Sequence, residues 1–231
     1  MAISPEAYKQ IAQLNVFPES ALADLAAGAL ERNVVRRELI LNKGDVLPFF
    51  PFLIEGRLQG IDFTLDGREV GLYFVGPGEF FGELAVIDRL PVAETVIAIA
   101  PSRLVLFPKE QTRALMFSSP EMSEAVTRRL AGRLRAVAGQ RLLLALPSPM
   151  QRMCAQLLEL AQDPGATEQA GVVAIPSAPT HQEIAIMINS SRETITRAFQ
   201  QLQNQEVIRR DRSHLLILDI EQLKQLAWGA N

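Results

Sequence analysis

The sequence predicts an α+β chain: a small N-terminal antiparallel β-roll, one long helix, and a mostly helical C-terminal unit that closes with a β-hairpin. Three observations carry this. From about Val34 to Phe107, short β-rich runs alternate with turn signals at Asn42-Lys43-Gly44-Asp45, Glu55-Gly56, Asp66-Gly67 and Gly76-Pro77-Gly78-Glu79, a spacing that suits a small barrel or roll. Beyond Pro120 the chain reaches Leu146 with no further proline and no turn cluster, which predicts a helix of roughly 40 Å at 1.5 Å per residue. Pro147-Ser148-Pro149 then ends that helix, and helical spacing dominates the rest of the chain. A length of 231 residues suits two ordinary domains. The expected division is residues 1–118 for the roll with its N-terminal helices, 119–146 for the long helix, and 147–231 for the second unit.

Composition narrows the function classes. Apolar residues at 48% and charged ones at 21% describe a chain with a packed core. The single cysteine, Cys154, closes no disulfide within the chain and supplies no cysteine-ligated zinc or iron-sulfur site by itself. It sits among apolar helical residues and reads as core. Met1–Gln10 does not show a basic stretch followed by an apolar one, and no apolar run is long enough to span a bilayer, so a cytoplasmic protein without membrane contact is expected. A net charge of -3 means that any nucleic-acid contact must come from a local basic patch.

Taken in order, residues 5–30 read as two short helices interrupted at Phe17-Pro18-Glu19-Ser20, with Ser20 as an N-cap. In the long helix, Thr127, Leu130, Leu134, Val137, Arg141 and Leu144 are spaced 3, 4, 3, 4, 3, the seam of a coiled coil. A homodimer is the expectation; the alternative is a stripe packed onto the roll of a monomer, which a helix this long would overhang. In the second unit, Met153, Leu157, Leu158 and Leu160-Ala161 mark a helix stopped by Asp163-Pro164-Gly165, and Val172–Ile175 a short strand. Val207-Ile208 and Leu215–Leu218 flank a polar tip and form a hairpin, followed by a helix over Asp219–Trp228 with Leu223 and Leu226 inward.

Between these lies the segment with chemistry. Thr180-His181-Gln182-Glu183 is a capping box that starts a helix. Asn189 suits a left-handed turn residue, and Ser190 or Ser191 caps the next helix. There Ile195, Ala198, Phe199 and Leu202 face the core, while Arg192, Glu193, Thr196, Arg197 and Gln200 project outward. Arginine can donate two hydrogen bonds to guanine and a carboxylate can accept from cytosine, so Arg192, Glu193 and Arg197 suit readout of G·C pairs in a major groove. The competing reading is a solvated face with a Glu193–Arg197 pair and a Ser190–Glu193 capping box. Arg209, Arg210 and Arg212 at the hairpin would lie beside phosphates. His181 and His214 read as surface or phosphate contacts, not metal ligands.

The segment Thr180–Leu202 resembles the helix-turn-helix of the cyclic AMP receptor protein and fumarate-nitrate regulator family. Ser191-Arg192-Glu193-Thr194-Ile195-Thr196-Arg197 looks like the recognition helix of the cyclic AMP receptor branch, whose readers occupy the positions of Arg192, Glu193 and Arg197. Gly76-Pro77-Gly78-Glu79-Phe80-Phe81-Gly82-Glu83-Leu84 is similar to the family's glycine-rich turn in its cyclic-nucleotide-binding-like roll, and Pro120–Leu146 sits where the family has its dimerisation helix. The resemblance implies a winged helix-turn-helix, a homodimer, double-stranded DNA and RNA polymerase as partners, and transcription regulation without catalysis. The rival expectation is a ligand-binding regulatory subunit that acts through protein contacts and keeps a relict DNA-binding unit; the intact Arg, Glu, Arg face disfavours it.

The resemblance also implies a pocket, and here the sequence departs from it. Gly82, Glu83 and Leu84 match the family's Gly-Glu-Leu run, but its Arg-Ser pair falls at Val92-Ala93, or Ala93-Glu94 with one residue of slack. Neither register offers an arginine, and Glu94 would repel a phosphate. The helix pair that contacts adenine corresponds to Val137-Ala138, which have no hydrogen-bonding side chains. Control by cyclic AMP is therefore not expected. The roll contains neither His nor Cys, so haem, an iron-sulfur cluster and a metal-dependent cupin enzyme lack ligands. Glu83 is expected to pair with Arg133 or Arg89, Arg133 being the one arginine of its helix beside the pocket. An unknown small effector, anionic or apolar, is the alternative.

Overall fold

The computed structural model describes residues 19–26, 28–163, 165–211 and 214–229. The first expected helix and Arg212 lie outside them. Helix α1 (Glu19–Ala26) already contains Ser20, so that residue does not cap it. Contacts group the chain into two compact units, one built on residues up to Asp62 with Tyr73–Arg135, the other on Phe63–Leu72 with the chain from Ala136 on.

The first unit is an antiparallel roll of two sheets. One has strand order β1 (Leu30–Val34), β7 (Ser102–Pro108), β3 (Phe49–Glu55); the other β2 (Leu39–Leu41), β6 (Thr95–Ala98), β4 (Leu58–Phe63), β5 (Glu69–Val75). Strand alternation decides where the core sits. On β3, Phe50, Phe52 and Ile54 join Val105 and Phe107 in one cluster with α1, Met116 and Met122, while Leu53 turns to the other face to meet Leu104, Leu58 and Val96. With both faces covered, β3 has to be apolar almost throughout, which is why Phe-Phe-Pro-Phe-Leu-Ile reads as a continuous run. A short helix, α2 (Glu83–Ile87), follows β5, and α3 (Lys109–Ser118) follows β7.

Helix α4 (Pro120–Ala145) fills the stretch expected to be one long helix. Met122 and Val126 are buried in the roll cluster and Leu130 packs partly against it, so Leu130 belongs more to the roll than to the expected seam. The remaining seam residues Thr127, Leu134, Val137 and Leu144 are exposed, Leu134 at 72%, and Leu142 is exposed beside them.

In the second unit, α5 (Pro149–Leu160) starts on a capping box of Ser148 and Gln151 and buries Met153, Leu157 and Cys154, whose thiol burial pushes up to about 12. A four-stranded sheet has the order β10 (Ile208–Arg210), β11 (His214–Ile217), β9 (Val172–Pro176), β8 (Thr167–Gln169). The expected hairpin is thus half of a larger sheet. Strand β8 escaped the sequence reading because Thr-Glu-Gln is wholly exposed and carries no apolar period. Helices α6 (His181–Met187) and α7 (Arg192–Asn204) lie between β9 and β10, and α8 (Ile220–Trp228), capped by Asp219, buries Leu223 and Ala227, with Leu226 only half-buried.

Candidate nucleic-acid interface and sensor pocket

The turn between α6 and α7 is built by local hydrogen bonds. Thr180 accepts from the Glu183 amide and the Glu183 carboxylate accepts from the Thr180 amide at 2.7 Å, closing the capping box. Asn189 adopts φ 51°, the left-handed turn expected of it. Ser191 caps α7 by accepting from the Thr194 amide at 3.2 Å, so the box proposed for Ser190 and Glu193 does not form. Arg152 secures the turn from α5, donating through Nε to the Ile188 carbonyl at 3.1 Å. On α7, Ile195, Ala198, Phe199 and Leu202 are buried, and Arg192, Glu193, Thr196, Arg197 and Gln200 are exposed.

Arg192, Glu193, Thr196 and Arg197 line one shallow open concavity. Among the described residues, no Glu193–Arg197 bridge and no hydrogen bond from either guanidinium to the protein is found. The Glu193 carboxyl is held below its usual range by a bond from its own backbone amide and by the Ser191 hydroxyl, so it is a carboxylate acceptor at neutral pH. His181, half-buried, places Nδ1 2.9 Å from the Thr196 hydroxyl. On the hairpin, Arg209 is exposed, while Arg210 is half-buried and donates to the Ala178 and Pro179 carbonyls at 2.9 and 3.0 Å. Arg210 therefore fixes the loop that leads into Thr180.

In the roll, the glycine-rich turn delivers Glu83 to the start of α2. Gly82, just before it, has φ 67°, the left-handed region that favours glycine, and a Cβ there would also push against the Leu47 Cδ1 methyl at 2.9 Å. Glu83 is 1% exposed, and Arg133 Nη1 donates to its Oε1 at 2.6 Å. The Arg133 guanidinium lies 3.9 Å above the Tyr73 ring. Beneath Tyr73 is Gly60, where a Cβ would come within 2.6 Å of the ring. The Tyr73 hydroxyl donates to Glu94 Oε1 at 2.5 Å, and Glu94 is buried too. Burial works most strongly against the Arg133 charge, but Glu83, Tyr73 and Glu94 together outweigh it and the guanidinium stays protonated. One turn earlier on α4, Arg129 Nη1 donates to Glu79 Oε1 at 2.5 Å, and Glu79 also accepts from the Gly76 amide at 2.9 Å.

Two domain families match the chain: the cyclic nucleotide-binding domain over residues 31–119 and the Crp-like helix-turn-helix domain over 151–226. A CRP-like cAMP-activated global transcriptional regulator of Mycobacterium tuberculosis is 30% identical over 208 residues, covering 90% of this chain and 92% of that one. The chain belongs to the CRP/FNR family of transcription regulators. Transcriptional regulator SdrP of Thermus thermophilus is 32% identical over 182 residues, 76% of this chain and 82% of that one. The structure of a CRP/FNR regulator from the same organism superposes with a TM-score of 0.64 at 28% identity, over 86% of this chain and 98% of that one. This chain is accordingly a DNA-binding transcription regulator with a cyclic nucleotide-binding domain.

Within that family frame, several expected pocket residues are placed elsewhere. Arg89 is a correction: it lies 3.7 Å from Glu110 on the surface, both side chains exposed, and not at Glu83. Val92 is buried in the roll core, whereas Leu84, Ala93, Val137 and Ala138 are exposed. Tyr73 and Arg129 were missed as pocket partners, whereas Glu94 was expected at the pocket without its tyrosine partner. Tyr73 left no local signal, since the seat of its ring over Gly60 depends on the sheet; Arg129 and Arg133 share with Glu79 and Glu83 a spacing of four, which puts the two ion pairs one turn of α4 apart.

Proposed function

We propose that the protein is a homodimer that reads an inverted repeat resembling TGTGA and its complement, with half-site centres roughly 34 Å apart, and that cyclic AMP does not control it. The observation that carries the effector half of this reading is the buried Glu83–Arg133 pair. In a site that recognises a nucleotide, the carboxylate must be open to the ligand; here a guanidinium of the same chain holds it and stacks on Tyr73. Glu94 adds a second buried carboxylate next to the pair, which opposes entry of a phosphate. The DNA-competent arrangement is then available without a small ligand, because a ligand shifts an equilibrium only through a difference in affinity between two states. The Mycobacterium relative is described as cAMP-activated; Val92 and Ala93, at the positions of the phosphate-binding residues in the resemblance, argue against that control here.

Dimerisation is supported by the exposed face of α4. Leu134, Val137 and Leu144 are open to solvent, full burial of such a side chain being worth about 1.5–3 kcal/mol, and a copy of the same helix offers the same stripe. Leu134→Arg should convert a dimer, measured by light scattering at micromolar concentration, to a monomer that loses affinity for the full repeat. An unchanged mass for the variant, or a monomeric wild type, contradicts the seam. Selection of bound sequences from a random duplex pool tests the repeat directly.

A further inference from the structure

His181 opens α6, yet its ring is part of the packing of α7. Its centroid lies 4.6 Å from that of Phe199, and Nδ1 stands 2.9 Å from the Thr196 hydroxyl. That hydroxyl donates its own hydrogen to the Arg192 carbonyl at 2.9 Å. It must therefore accept from the ring, which puts the imidazole hydrogen on Nδ1 and leaves the Nε2 lone pair without a partner among the described residues. The charged groups that act on the ring are Arg210 from β10 and Arg192 from α7. On its own helix, Glu183 is engaged by the Thr180 amide. Burial first, then the Arg210 and Arg192 charges, hold the free imidazole below its ordinary value.

We propose that His181 is a proton-linked DNA contact: a backbone phosphate approaching the start of α6 supplies the anion that lets Nε2 take a proton from solvent, while Nδ1–H keeps its hold on Thr196. This rests on the DNA-reading assignment, in which the first helix of the pair lies across the backbone. In the free protein two cations oppose the proton; in the complex the phosphate offsets them and accepts a charge-assisted hydrogen bond from Nε2. Binding then takes up one proton in the range between the free and bound values. Affinity therefore rises as pH falls through that range, which starts above the depressed free value, itself below about 6.5. Through Thr196, which sits among the readers, His181 also fixes part of the reading face.

The test compares wild type, His181→Gln and His214→Gln on a TGTGA inverted-repeat duplex, by fluorescence anisotropy from pH 8 to pH 6 at constant ionic strength. Glutamine keeps an N–H for Thr196 and cannot titrate. Wild type and His214→Gln should tighten several-fold toward pH 6, and His181→Gln should not. Because the chain has only two histidines, imidazole NMR reads the site directly. The free protein should show His181 as the Nδ1–H tautomer titrating below the ordinary value, and saturating duplex should raise it. Equal pH dependence in wild type and His181→Gln, or an Nε2–H tautomer in the free protein, would overturn the proposal. Specific binding with a flat pH profile refutes the proton linkage alone, whereas no specific binding at any pH refutes the DNA-reading assignment and this proposal with it.

Discussion

On α7, Arg192 and Arg197 flank a glutamate in solvent; on α4, Arg133 reaches a glutamate that is 1% exposed and stacks on a half-buried tyrosine. Each region combines arginine with carboxylate, and burial separates what the combination does. Exposed, the groups keep their hydrogen-bonding capacity for a partner and contribute little to the fold. Buried, Arg133 pairs with one oxygen of Glu83 while Oε2 has no hydrogen-bond partner among the described residues, and removing either member would leave a costly charge behind. The contrast teaches that a reading face and a locked site differ in whether their polar groups are already answered within the chain, not in residue type.

The sharpest way to break this comparison is to open the lock. Glu83→Ala should destabilise the roll by about 3 kcal/mol, since it leaves Arg133 buried without its anion, and Glu83→Leu with Arg133→Leu should recover most of that loss. Thermal unfolding of the three variants checks it; additive losses in the double variant would mean the pair is not coupled. On the exposed side, Arg192→Ala or Glu193→Ala should leave unfolding unchanged and cost about 1–3 kcal/mol in specific DNA affinity, with preference relaxed at one base pair. Equal losses on specific and random duplex would remove the readout role. The two hairpin arginines sharpen the distinction further. Arg210→Ala should lower stability by about 1–2 kcal/mol through the freed Ala178 and Pro179 carbonyls, as well as weakening DNA binding. Arg209→Ala should leave stability alone and reduce the salt dependence of binding by about one phosphate contact. The smallest effect is expected for Ser191→Ala, about 1 kcal/mol from the lost cap of α7.

The same division separates what was legible in the sequence from what was not. The turn and caps of the helix pair could be placed from spacing alone, because such residues act over three or four positions: Thr180 with Glu183, Asn189, and Ser191 all occupy the roles their chemistry suggested. The Glu83–Arg133 pair was legible only with the help of the family resemblance, as its members are fifty residues apart. That Tyr73 and Glu94 meet was not legible, since Tyr73 on β5 and Glu94 just before β6 are brought together only because β5 and β6 flank β4 in the sheet. Arg89 was misread as a partner of Glu83 because an arginine in a loop declares its charge in the sequence but not the acceptor nearest to it. Leu130 shows the same limit on a helix, where two apolar stripes, one for the roll and one for solvent, share a residue.

The central proposal is that the Glu83–Arg133 pair leaves this protein outside the control of cyclic AMP. It is tested most directly by measuring the affinity of wild-type protein for the inverted-repeat duplex with and without millimolar cyclic AMP, with calorimetry of cyclic AMP on the free protein alongside. The expected result is specific DNA binding without ligand, the same affinity when cyclic AMP is present, and no binding heat. Micromolar cyclic AMP binding that raises DNA affinity would contradict it.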